Sequence, residues 1–231
     1  MPYAKAWSFS SLTSYEECPH RVKLKAEKAT TLPREESRGE RIHKLAEDYV
    51  AGKLDKLPHE LRKFEGDIEE DRRLFAEGKV ELEGEWGFTP DWQPTGWFDA
   101  WFRAKLDQFH YDPTDGTNHA MVVDWKTGKS FGNEIKYASQ GQLYALACFM
   151  RHPELETVEV IFRFIDEGKS KRKTYVQNKQ LDRMFERWME RAHRMLTDDE
   201  CAPKPHRIRC KYCLYGPTNG SSACGWGIPW E

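Results

Sequence analysis

The chain has 231 residues, of which 39% are hydrophobic and 13% aromatic, enough for a packed core and too apolar for wholesale disorder. Charged residues make up 32% but cancel to a formal −2, so any affinity for a polyanion must come from local basic runs. Two such runs stand out, Lys169-Ser170-Lys171-Arg172-Lys173 and residues 204–211. No apolar run reaches membrane-spanning length, and the N-terminus lacks the basic-then-apolar layout of a signal peptide. A cytoplasmic setting without membrane partners is therefore expected, in which the six cysteines read as metal ligands or buried thiols rather than disulfides.

Residues 9–28 open with serines and carry Leu12, Tyr15 and Val22 at helical spacing, which predicts a helix open to interruption at Pro19. Residues 38–50 predict a second helix with Ile42, Leu45, Ala46 and Tyr49 as its apolar stripe, and residues 58–77 a third, highly charged one. The period then changes to two. Val80, Leu82, Gly84, Trp86 and Phe88 alternate with Glu81, Glu83 and Glu85, and Phe98, Ala100, Phe102, Ala104 and Leu106 repeat the pattern. After the turn Asp112-Pro113-Thr114-Asp115-Gly116, residues 120–126 predict a third strand, hairpinned to the second. A helix over 137–150 with Leu143, Leu146, Ala147 and Met150 facing the core, a strand over 158–165 and a helix over 180–196 follow. This order predicts an α/β fold, a mixed central sheet flanked by helices, as a single domain over 1–231.

Asp124 and Lys126 end the apolar run at Ala120–Val123, and residues two apart on a strand share a face. A carboxylate can hold a hard divalent cation, and a neighbouring lysine can steady a phosphate or the attacking water. Asp107 ends the second predicted strand, on the face of Arg103 and Lys105, where the hairpin would let it converge with Asp124 on one cation. Gly39, His43 and Glu47 lie one helical turn apart along one edge, as do Lys136, Gln140 and Tyr144. The second row suits contacts to a nucleic-acid backbone and bases, and it joins Lys169, Lys171, Arg172 and Lys173 as candidate DNA-binding residues. Cys210-x2-Cys213 has metal-ligand spacing, Cys224 follows eleven residues later, and Cys18 lies far upstream. Four thiolates suit either an iron–sulfur cluster or zinc. Cys201 could substitute for one of them, and Cys148, on an apolar stripe, reads as a buried hydrophobe.

Five segments in order, residues 8–19, Gly39-x3-His43-x3-Glu47, Asp107, residues 123–129 (Val-Asp-Trp-Lys-Thr-Gly-Lys) and Gln140-x3-Tyr144, resemble PD-(D/E)XK nucleases of the RecB type. The pattern resembles that of the stand-alone exonucleases of CRISPR adaptation and of the AddB nuclease domain. The resemblance implies a restriction-endonuclease-like core in which His43, Asp107, Asp124 and the Trp125 carbonyl ligate Mg²⁺ or Mn²⁺. Lys126 would position the attacking water, Gln140 and Tyr144 would orient Lys126 or the strand, and Glu47 would support His43 from behind. It also implies a [4Fe–4S] cluster on Cys18, Cys210, Cys213 and Cys224, with zinc the alternative, joining residues 1–30 and 200–231 as a cysteine-rich metal-binding subregion. The gap between Cys213 and Cys224 is longer than the family's usual spacing.

The function expected is a metal-dependent DNA exonuclease acting on single-stranded or end-exposed DNA in recombination, repair or CRISPR-type processing. The alternatives are a DNA-binding or assembly module recruited by a helicase or integrase, and a zinc-stabilised RNA-processing protein. Oligomerisation is compatible with the resemblance.

Overall fold

The computed structural model describes residues 3–29 and 36–230. Residues 1, 2, 30 and 231, which fall within the expected metal-binding subregion, lie outside them. Two compact units make up the chain: residues 1–35, 101–103 and 186–231 form one, and residues 36–100 and 104–185 the other.

The first unit begins with a two-residue strand β1 (Trp7–Ser8), then α1 (Phe9–Glu17) and α2 (His20–Ala26). A capping box starts α1, Ser8 accepting from the Ser11 amide while Ser11 bonds back to the Ser8 amide. Cys18 precedes a proline, which disfavours helical geometry. It is extended (φ −161°, ψ 101°), and α2 starts afresh on Pro19. The interruption expected there is thus a full break. The C-terminal part of the chain packs in the same unit, with Tyr15 Oη donating to Asp198 at 2.8 Å, and Arg191 bonding Glu16 twice at 2.7 Å. Trp7 stacks on Phe102 with ring centroids 4.3 Å apart.

The second unit holds α3 (Arg38–Val50), α4 (Glu65–Ala76), β2 (Val80–Phe88), β3 (Pro94–Thr95), most of β4 (Phe102–Tyr111), β5 (His119–Lys126), α5 (Glu134–Arg151), β6 (Thr157–Phe164) and β7 (Lys169–Val176). Helix α6 (Gln177–Thr197) leads back to the first unit, where a short α7 (Arg207–Lys211) precedes the last cysteines. The expected helix over 58–77 divides into a 3-10 turn (His59–Phe64) and α4, because Phe64 leaves helical geometry (φ −121°, ψ 24°) while its ring packs edge-on against Trp125 at 5.6 Å.

The sheet is mixed and seven-stranded, in the order β3-β2-β4-β5-β6-β7, with β1 parallel to the start of β4. Strands β4 and β5 form the expected antiparallel hairpin, β5 and β6 run parallel with α5 as their crossover, and β6 and β7 are antiparallel. Alternation along β5 divides its side chains between two faces. Val123 and Trp125, with Ile161 and Ile165, pack against Ile42, Ala46 and Tyr49 of α3 and Ile68 of α4. Val160, Phe162 and Phe164 face α5, where Tyr137 packs on both phenylalanines.

The bounds of the second predicted strand need correction. The strand expected over 98–106 begins at Phe102 and runs on to Tyr111, so Asp107 lies mid-strand, and Phe98 is 90% exposed rather than in the core. The basic run 169–173 is the first part of β7, an edge strand whose lysines blunt it against unwanted pairing. Strands β1 and β3 carry too few residues to leave a periodic signal. Among the described residues no helix is long and apolar enough to cross a membrane.

Candidate active site

Strand geometry sends Trp125 into the core and leaves Asp124 and Lys126 facing α5. Asp124 Oδ1 accepts from Tyr144 Oη at 2.7 Å and from Gln140 Nε2 at 3.3 Å, and Gln140 Nε2 also donates to Tyr144 Oη at 2.7 Å. Its other oxygen lies 2.6 Å from Lys126 Nζ. The helical row on α5 is therefore aimed at Asp124, although Lys136, at its outer end, is exposed. Lys126 Nζ sits 5.6 and 5.4 Å from the ring centroids of Tyr137 and Phe162, a cation–π arrangement that confines the amine.

Continuing the antiparallel register one step from the Gln108–Val123 pair brings Asp107 alongside Asp124. Asp107 Oδ2 accepts the Trp125 amide at 2.8 Å, and its Oδ1 lies 3.0 Å from His43 Nδ1. His43 is presented by α3, whose first turn carries a capping box between Ser37 and Glu40. The first turn of α3 lies close to the end of β5: a Cβ on Gly39 would be in ordinary contact, 3.4 Å, with Thr127 Oγ1, immediately after Lys126.

Sequence reasoning missed Glu83. It is one of three glutamates that alternate with the apolar residues of β2, yet its backbone is left-handed (φ +51°). Ligand atoms of Glu83, His43 and Asp107 all lie within 4.8 Å of one another. The glycine that follows, Gly84, was the one available hint, since a glycine within a strand marks a bulge. Glu83 is also ion-paired with Lys105 at 2.6 Å. Glu47, expected behind His43, instead bonds Lys44 at 2.9 Å and Lys53 at 3.3 Å, and Asp107 takes the place beside the imidazole.

Burial and the neighbouring Asp124 charge raise the Asp107 pKa, opposed by His43 and the Trp125 amide. Burial alone would lower that of His43, but the Asp107 hydrogen bond and charge, with Asp124 beyond, leave it raised. Tyr144 is pushed well above its ordinary value, by burial first and then by the two aspartates. The site thus concentrates negative charge in a dry place, which favours any cation able to share it. One imidazole and two carboxylates suit Mn²⁺ and accept Mg²⁺.

The remaining candidates fall into two places. Lys169, Lys171, Arg172 and Lys173 are exposed on β7, with Lys171 and Lys173 on the α5 side and Arg172 3.9 Å from Glu159. In the first unit, Cys18, Cys210, Cys213 and Cys224 line one pocket. The Lys204 amide donates to Cys18 Sγ at 3.4 Å and the His206 amide to Cys210 Sγ at 3.5 Å. Cys201 is buried, its thiol directed to the Asp198 carbonyl, and Cys148 is fully buried on α5.

Residues 6–218 match the sequence pattern of the PD-(D/E)XK nuclease superfamily. The chain belongs to this superfamily. It is accordingly a nuclease, a phosphodiester hydrolase. Among solved structures, the chain is similar to a protein named SSO0001 (14% identity, 98% of this chain and 89% of that one, TM-score 0.43). It is also similar to one named "Putative exonuclease" from Eubacterium rectale (16% identity, 90% and 86%, TM-score 0.48). No curated protein matches the sequence.

Proposed function

We propose that this nuclease is a divalent-metal-dependent deoxyribonuclease of the RecB type that degrades single-stranded or end-exposed DNA from its ends. The observation that carries this reading is the convergence of His43, Glu83 and Asp107, with Asp124 and Lys126 beside them. His43, Glu83, Asp107 and Asp124 would hold Mg²⁺ or Mn²⁺, with the Trp125 carbonyl as a further donor. When bound, the ion polarises the phosphoryl oxygen and acidifies its water. Lys126 orients the attacking water and offsets charge gathering on the phosphoryl oxygens. Tyr144 and Gln140 hold Asp124 in a single rotamer, so that little reorganisation is left for the reaction itself. The exposed lysines of β7 and Lys136 supply sequence-independent attraction to the strand.

The cysteine pocket supports a structural [4Fe–4S] cluster on Cys18, Cys210, Cys213 and Cys224. Backbone amides directed at two of the sulfurs supply hydrogen bonds of the kind that cluster and metal-bound sulfurs accept. Visible absorption with matching iron and sulfide in anaerobically purified protein tests this, and stoichiometric zinc would reject it.

The decisive assay uses end-labelled single strands, open duplexes, covalently closed circles and matched RNA, each with Mn²⁺ or with EDTA. Open DNA should be shortened only with Mn²⁺, leaving circles and RNA intact. Cleavage of closed circles would reject the exonuclease assignment, and equal cleavage of RNA would reject the DNA preference.

A further inference from the structure

Beside Lys126 a groove opens between α5 and the β6–β7 hairpin, with a cavity volume of about 140 Å³. Its floor is aromatic and dry, formed by Phe162 and Tyr175, only 6% and 2% exposed. Tyr137 makes a half-buried wall, and the small side chain of Ala138 keeps the mouth open. Gly141 lets α5 close down at the far end, since a Cβ there would meet Tyr175 Oη at 3.1 Å and Phe162 Cε2 at 3.4 Å. Lys171 and Lys173 stand exposed on the rim, Lys173 with its ammonium 5.1 Å from the Tyr175 ring centroid. The one acid at the groove, Glu134, lies 3.8 Å from Lys171, which leaves the rim net positive. The Phe162 ring belongs at once to this floor and to the cage around the Lys126 amine.

Flat aromatic walls under a basic rim match a flat, unsaturated ring joined to a phosphate. We propose that the groove seats the unpaired base of the DNA nucleotide next to the scissile phosphate, its own phosphate held by Lys171 and Lys173. The inference rests on the nuclease reading above and deepens it. A base inside a duplex is stacked on both sides and paired, so it cannot enter without being extruded, and the groove selects single strands by shape rather than by sequence.

The test measures binding in EDTA of a labelled single-stranded oligonucleotide and of a series in which one nucleotide at a time is abasic. Wild-type protein should lose about five- to a hundredfold in affinity at one abasic position, the worth of one stacked base. Tyr137→Leu should lose a similar factor on the intact strand and show no further abasic penalty, as expected when both changes remove the same contact. Lys171→Gln with Lys173→Gln, both exposed and harmless to packing, should weaken every strand alike and reduce the salt slope by roughly 1.4. Equal wild-type affinity for all abasic strands would overturn the proposal, as would a penalty that persists in Tyr137→Leu. Absence of wild-type cleavage with Mn²⁺ alongside a clear abasic penalty would instead fell the nuclease reading and leave the groove standing.

Discussion

The central sheet buries an ion pair on each face around β5 and β6. Behind Trp125, Arg163 and Asp71 have side chains 4% and 2% exposed, while on the α5 side Lys126 and Asp124 are 17% and 3% exposed. The first pair is closed: both Arg163 terminal nitrogens bond Asp71, and the guanidinium stacks 4.9 Å from the Trp125 ring. The second is open, bordered by Asp107, a second acid, and by the groove beneath Lys126. A closed pair holds two layers in register, whereas an open one beside a like charge leaves unspent attraction for a cation and a phosphate. One-residue alternation along β5 thus separates architecture from chemistry.

Breaking each side should give opposite results. Lys126→Ala should lower kcat/KM on end-labelled single strands by about 10³-fold, some 4 kcal/mol of barrier, with thermal unfolding nearly unchanged. Arg163→Met should do the reverse, costing about 3–5 kcal/mol in urea unfolding because Asp71 is left charged in the core. Adding Asp71→Leu should restore most of that stability, and activity per folded molecule should hold throughout.

His110 lies near the closed pair, 3.8 Å from Asp71, and its pKa is lowered to about 4, chiefly by burial. A histidine kept neutral in the fold contributes fully above its unfolded value near 6.5, and that contribution is lost as pH falls from about 6.5 towards 4. Wild-type stability should drop by about 3 kcal/mol more than that of His110→Asn over this window, measured by urea unfolding at each pH. The smallest effect sharpens the open side. Tyr144→Phe removes one hydrogen bond to Asp124 and should lower kcat about tenfold with KM little changed, near 1.4 kcal/mol.

Elements with an uninterrupted period were legible in the sequence. The alternation around Asp124, the hairpin that brings Asp107 beside it and the row from Gln140 to Tyr144 all follow from spacing. Strand β7 was not, because a solvated edge strand tolerates charge at nearly every position, and 169–173 therefore reads as a basic run. Glu83 lay hidden for a related reason: alternation assigns it to solvent, and only a left-handed residue beside Gly84 turns the strand enough to bring it near His43. Glu47 shares a helix edge with His43, but two nearby lysines compete for its carboxylate and win.

The separation of chemistry from architecture is tested most directly by Asp124→Asn, assayed together for Mn²⁺-dependent cleavage of end-labelled single-stranded DNA and for thermal unfolding. The amide keeps the shape and can still accept from Tyr144, but it removes a charge that the neighbouring Asp107 opposes. The expected result is loss of cleavage with an unfolding temperature equal to or above wild type. Wild-type cleavage by Asp124→Asn, or loss of activity only in step with loss of the fold, would contradict it.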